Sequence, residues 1–110
     1  MNMSDFVKIV VTVPVADADT VRNAIADAGG GKIGNYNSCS FSVVGTGRFL
    51  PHEGARPHIG EVGKLEEVVE ERIEVTVARD VLKDVVIAIR KNHPYEEIAL
   101  DVYPLESLDF

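Results

Sequence analysis

The sequence predicts an α+β domain: four strands in one antiparallel sheet with two helices on one of its faces. Three observations predict it. Two strand–helix halves flank a central stretch rich in Gly, Asn and Ser. The apolar spacing alternates between a period of two and a period of 3.6 along the chain. Breakers (Pro14, Gly29-Gly30-Gly31, Pro94 and Pro104) stand at the ends of the periodic segments. The resulting order, β-α-β-β-α-β, is the split βαβ arrangement of ferredoxin-like domains. Right-handed crossovers then put both helices on the same side.

Each element has a local reason. Residues 7–13 are rich in β-branched side chains and place Val7, Ile9, Val11 and Val13 on one face, with Lys8, Val10 and Thr12 on the other. Pro14 ends that strand. Asp17 is the expected N-cap of the first helix, whose apolar stripe is Val21, Ala24, Ile25 and Ala28 and whose stop is the triple glycine. Residues 38–44 alternate, with Cys39, Phe41 and Val43 on a face expected to be buried, as are Tyr36 and Phe49. Gly45-Thr46-Gly47 then predicts a bulge or a close backbone approach before residues 48–50 resume the strand. Residues 51–63, with two prolines and two histidines, are aperiodic and predict a long ordered loop. Residues 68–77 form the third strand, Asp80 is expected to cap the second helix (Val81, Leu82, Val85, Val86, Ile89), and residues 98–103 form the last strand.

A length of 110 residues fits one domain with one core, residues 1–110. The net charge of −7 argues against nucleic acid and anionic membrane as partners. No apolar run approaches the ~20 residues that span a bilayer. The N-terminus lacks a signal-peptide pattern, so the expected location is cytoplasmic. The single cysteine, Cys39, excludes an intrachain disulfide. Charge is unevenly placed: residues 32–64 hold Lys32, Arg48, Arg56 and Lys64 against Glu53 and Glu61, and an acidic block from Glu66 to Glu74 follows.

The succession IGNY, CSF, GTG, GEVGKLE and HPYEE is distinctive. From about Phe6 to Glu106 the chain resembles the domain inserted into dinuclear-metal-centre hexameric proteins of the YqfO type, the NIF-three-like family. The segment from His93 is also similar to the HPYE-type motif of CutA proteins. The resemblance implies a PII/CutA-like fold, a homo-oligomer that is a trimer or a multiple of one, and a sensing or binding role. The chain looks like a stand-alone version of that insert, so the metal ligands of the family's flanking halves cannot be carried over.

Two glycine-rich runs, Gly29-Gly30-Gly31-Lys32 and Gly45-Thr46-Gly47-Arg48, set a cation beside flexible backbone, which suits a small anion. Neither is a Walker A motif, and taken alone the first reads sooner as a helix stop and the second as a bulge. PII-like relatives bind small anionic ligands between subunits, which adds weight to the anion reading. The expected ligand-binding residues are Gly34, Tyr36, Ser38, Ser40, Gly45, Thr46, Gly47, Arg48 and Lys64. His58 and His93 are the candidate ligands for a divalent metal, and the sequence does not identify a cofactor. Tyr95 and Glu96 are the expected interface residues.

No catalytic residue is assigned. Cys39 beside Phe41 predicts an inert hydrophobe rather than a nucleophile, and Glu66, Glu67, Glu70 and Glu71 predict a solvated charged edge rather than an acid–base pair. The function expected is a non-enzymatic oligomeric module that binds a small anion or a divalent metal between subunits. The alternatives are a structural or protein-interaction domain that uses residues 51–63, and a small hydrolase or transferase.

Overall fold

The computed structural model describes residues 3–110. Strand β1 (Met3–Pro14) leads through a 3-10 turn into helix α1 (Ala18–Asp27). Strands β2 (Phe41–Phe49) and β3 (Glu66–Ala78) follow, then helix α2 (Leu82–Asn92) and strand β4 (Leu100–Glu106). The strands make one four-stranded sheet in the order β2-β3-β1-β4, antiparallel throughout. This is the predicted fold class.

The core forms where the two periods meet. Val7, Ile9, Val11 and Val13 of β1 and Ile73, Val75 and Val77 of β3 share a face with Val21 and Ile25 of α1 and Val85 and Ile89 of α2, and all are fully buried. Seven of these eleven side chains are valines, so the sheet-to-helix layer is thin and stiff at χ1.

The helix starts differ from expectation. Asp17 stands at the N-cap of α1 without a side-chain capping bond, and Asp80 lies in a 3-10 turn one residue ahead of the N-cap Val81. The 3-10 turn that leads into each helix satisfies backbone groups that a cap would otherwise serve.

β2 also differs. It begins at Phe41, so Cys39 precedes it, and it runs through Gly45-Thr46-Gly47 in unbroken register: Gly45 faces Glu70, Thr46 faces Val69 and Gly47 faces Val68. There is no bulge. Phe41 and Tyr36 are exposed and Phe49 is half-buried, against the expectation of burial. The reason lies in the pairing. Phe41, Val43, Gly45, Gly47 and Phe49 share the face of Glu74, Arg72, Glu70, Val68 and Glu66, the side of the sheet without helices. Only part of the acidic block is an edge: Glu66 and Glu67 pair with β2 alone, whereas at Glu70 and Glu71 β3 lies between β2 and β1. Glu71 pairs with Arg22, and Glu70 is buried.

β4 runs past Pro104 to Glu106, which an outer strand tolerates because Pro104 has no N–H to leave unpaired. On the open face Val10 is only 4% exposed. Its neighbours across the sheet are Glu74 of β3 and Asp101 of β4, and Glu74 holds Arg72 on the same face at 3.1 Å.

β1 pairs with β3 only as far as Glu70, leaving residues 66–69 paired with β2 alone. The β2–β3 ribbon therefore projects beyond the helix-backed layer, and the molecule measures 51 × 29 × 23 Å. Its radius of gyration, 15.3 Å, exceeds the ~13 Å of a compact chain of this length.

Candidate functional site

The linker after α1 is pinned by one residue. Gly31 donates its N–H to Thr76 O (2.9 Å) and accepts from Cys39 N (2.9 Å), with φ +82°. A Cβ at Gly31 would come within 2.6 Å of Cys39 O, so only glycine fits there. Beyond it, Ile33 and Tyr36 form an isolated bridge that carries Gly34, and Ser38 has positive φ.

At the other end, His93 leaves α2 and is 8% exposed. Its Nε2 lies 2.8 Å from Thr12 O, and its Nδ1 accepts the Tyr95 N–H at 3.1 Å. The neutral tautomer protonated at Nε2 satisfies both bonds. This ring ties the turn after α2 to the end of β1 and directs Tyr95 across the open face. Tyr95 packs its ring edge against Phe49 (5.8 Å) and lies 6.3 Å from His58. Its O–H donates to Glu70 Oε2 at 2.8 Å. Burial, and then the Glu70 carboxylate, push the Tyr95 phenol well above its usual 10, so it remains a donor at physiological pH.

Glu70 is 6% exposed, and Gly47 makes room for it. A Cβ on Gly47 would stand 2.0 Å from Glu70 Oε1 and 2.5 Å from Cδ. Here the glycine serves a close approach, one of the two outcomes the sequence allowed.

Above this floor is a cleft of about 680 Å³. Thr12, Val43, Gly45, Gly47, Glu70 and Arg72 form its base on the open sheet face. The turn from Tyr95 to Ala99 forms one wall, and residues 51–59 form another. The loop that carries residues 51–59 closes on itself, Gly63 N–H donating to Pro51 O at 2.8 Å. It is tied to the wall by the Arg56 N–H, which donates to Glu96 Oε1 at 2.7 Å.

The expected site residues therefore separate. Gly45, Thr46, Gly47, Arg48, His58, Tyr95 and Glu96 line the cleft. Ser38 and Ser40 line a small second pocket of about 110 Å³ with Arg22 and Cys39. Gly34, Tyr36 and Lys64 line neither, and His93 lies beneath Tyr95 with both ring nitrogens engaged. Among the described residues no three His, Cys, Asp or Glu side chains converge as a metal site.

Sequence reasoning took Glu70 for part of a solvated edge and missed it as a floor residue. The register pairs Glu70 with Gly45, and the contact with Gly47 is a diagonal approach of the side chain that no sequence pattern marks.

Charge in the cleft also departs from the local basic excess. Glu53, Glu70, Glu96 and Glu97 line it against Arg48 and Arg72. Arg48 faces Glu67 at 3.6 Å, and Arg72 is held by Glu74. Lys64 faces Glu61 at 3.8 Å.

The strand order, the two helices on one side and the long β2–β3 ribbon define a CutA/PII-like unit. Solved structures agree: CutA from Archaeoglobus fulgidus superposes with a TM-score of 0.66 at 16% identity, covering 93% of this chain and 85% of that one. Bacillus subtilis GlnK in its ATP complex gives 0.63 at 12%, covering 94% and 85%. No protein-family model matches the chain. By sequence the chain is related to one segment of the proteins named GTP cyclohydrolase 1 type 2 homolog. The Bacillus subtilis relative is 50% identical over 99 residues, and the Mycobacterium tuberculosis relative is 47% identical over 102. A Bacillus cereus protein related to NIF3 superposes on 97% of this chain with a TM-score of 0.83 and 46% identity. The chain spans only 26–27% of the length of these relatives. No helix among the described residues is long and apolar enough to cross a membrane.

Proposed function

We propose that the chain is a non-enzymatic module that self-associates as a trimer or a multiple of one and binds a small charged ligand in the cleft, in a sensing or regulatory role. The observation that carries this reading is the cleft itself. At about 680 Å³ it falls within the ~300–1,000 Å³ of small-molecule sites, and an internally bonded loop and the Tyr95 turn hold it open. It borders the exposed apolar side chains of the open face, so a second copy there would turn it into a cleft between subunits.

Two ligand classes come from the neighbours' names: ATP for GlnK and a divalent cation for CutA. Arg72 would face an anion, while the Arg48 side chain alternates to the other side of β2, and His58 would offer one metal ligand.

Native mass spectrometry on protein purified without tag or chelator tests the reading, followed by thermal unfolding with ATP, inorganic phosphate and Zn²⁺. The expected result is a trimeric or higher mass, with one ligand class raising stability by ~2.7 kcal/mol at a hundredfold excess over Kd. A monomer stabilised by none of them would overturn it and leave a protein-interaction domain, with residues 51–63 as the contact surface.

A further inference from the structure

The charges that line the cleft do not balance, and the imbalance is built in. Its one guanidinium on the open face, Arg72, is already matched by Glu74 outside the cleft, and Arg48, which alternates to the other side of β2, is matched there by Glu67. Its own four carboxylates have no such match. Among the described residues none of Glu53, Glu70, Glu96 and Glu97 forms an ion pair. Glu96 accepts only a backbone N–H, and Glu70 only the neutral Tyr95 O–H.

Glu70 is the decisive group. A carboxylate buried to this degree is costly unless a cation or several donors compensate it. The fold nevertheless gives up a side chain at Gly47 to seat it and uses the Tyr95 hydroxyl to orient it. The walls above it are aromatic: Tyr95 with Phe49 at 5.8 Å on one side and His58 at 6.3 Å on the other. A carboxylate at the base of an aromatic-walled cleft matches an organic cation, whose charge meets the carboxylate and whose C–H or N–H surface meets the ring faces.

We infer that the cleft takes a small organic cation, an alkylammonium or guanidinium group seated on Glu70 and flanked by Tyr95, Phe49 and His58. This inference rests on the cleft being the ligand site and narrows the ligand to a cation. A hydrated divalent metal fits less well, because no three ligating side chains converge there among the described residues. An anion would meet four carboxylates.

The test is titration of the isotopically labelled full chain with agmatine and n-butylammonium, following the amide resonances of Gly45, Gly47 and Tyr95. Butan-1-ol and butanoate serve as the neutral and anionic matches in shape. The expected result is saturable shifts with both cations, at least tenfold weaker shifts with butan-1-ol and none with butanoate. Glu70→Gln, which keeps the acceptor for Tyr95 but removes the charge, should weaken cation binding at least tenfold while leaving the spectrum folded. The four-probe comparison on the native chain decides the question even if that variant fails to fold. Equal binding by Glu70→Gln would overturn the inference. So would saturable binding of butanoate or ATP without binding of the cations, although the cleft would then stand as a ligand site. Silence toward all the probes, with no shift at these three amides, would overturn the inference and the ligand-site reading together.

Discussion

Gly47, Glu70 and Tyr95 act as one unit, and the glycine and the phenol each make a separate prediction. Gly47→Ala must displace the Glu70 carboxylate, because the new Cβ would stand 2.0 Å from Oε1. The glutamate is flexible, but it is buried and held by Tyr95, so we expect a loss of about 1–2 kcal/mol in chemical denaturation. Gly45→Ala, two residues earlier on the same face with nothing within 4 Å of its Cβ, should change stability by less than about 0.5 kcal/mol. Equal losses in the two variants would mean that strand propensity and not the seating of Glu70 sets the cost. The phenol makes a prediction in pH. Its folded pKa lies above its ordinary value of 10, so above pH 10 the unfolded chain loses the proton while the folded chain keeps it. The stability from this contact is thus fully present below pH 10 and is lost as pH rises beyond it. Native protein should lose melting temperature between about pH 9.5 and about 11.5 more steeply than Tyr95→Phe, and parallel curves would refute the contact.

At the scale of elements, two side chains join parts that sequence separates widely. His93 fastens the end of α2 to β1 through Thr12 O and to the next turn through Tyr95 N–H. His93→Ala leaves a part-buried carbonyl and a part-buried N–H without the ring, and should cost about 1–3 kcal/mol and release Tyr95 from the cleft. His93→Gln, with one donor and one acceptor, should recover part of that loss by the same denaturation measurement. Arg22 of α1 does similar work on the helix side, donating to Ser42 of β2 at 2.9 Å, to Asp19 at 2.7 Å and to Glu71 of β3. These joints also show what could be read from the sequence. The four strands, the two helices and the core stripes were legible, because a period of two or 3.6 is written in neighbouring residues such as Val7, Ile9, Val11 and Val13. The 3-10 turns that replace Asp17 and Asp80 caps were not, since both conformations use the same residues. Nor was the site. Gly45-Thr46-Gly47-Arg48 stands out as a glycine run, but Glu70 is 23 residues away from Gly47, stands opposite Gly45 in the register and reaches Gly47 only by the lean of its side chain. The four cationic residues between 32 and 64 suggest an anion, yet three of them face carboxylates or contribute only a backbone N–H.

At the scale of the whole molecule, one sheet face carries the helices and the other does not. On the uncovered face Phe41 is 65% exposed, Val43 45% and Tyr103 46%. The β2–β3 ribbon beyond β1 carries Leu65 and, on its other side opposite Thr46, Val69, both 61% exposed. A two-stranded ribbon is marginal by itself, and apolar side chains grouped in this way are more than a small monomer ordinarily leaves in water. Val10, which the sequence placed on this face, contributes nothing, being only 4% exposed. The exposed set is therefore concentrated on β2 and its ribbon, and a partner copy must pack there for the face to be buried. Phe41→Glu places a charge in the middle of that set, opposite Glu74 and remote from the helix-backed core. It should leave the circular dichroism spectrum unchanged while shifting sedimentation-equilibrium mass from a multimer toward 12.0 kDa. Val44→Glu is the matched control: Val44 is 66% exposed on the same strand but faces the helix side, opposite Glu71. An assembly that survives Phe41→Glu and breaks with Val44→Glu would move the interface to the other side of the sheet, and the cleft would then lie outside it.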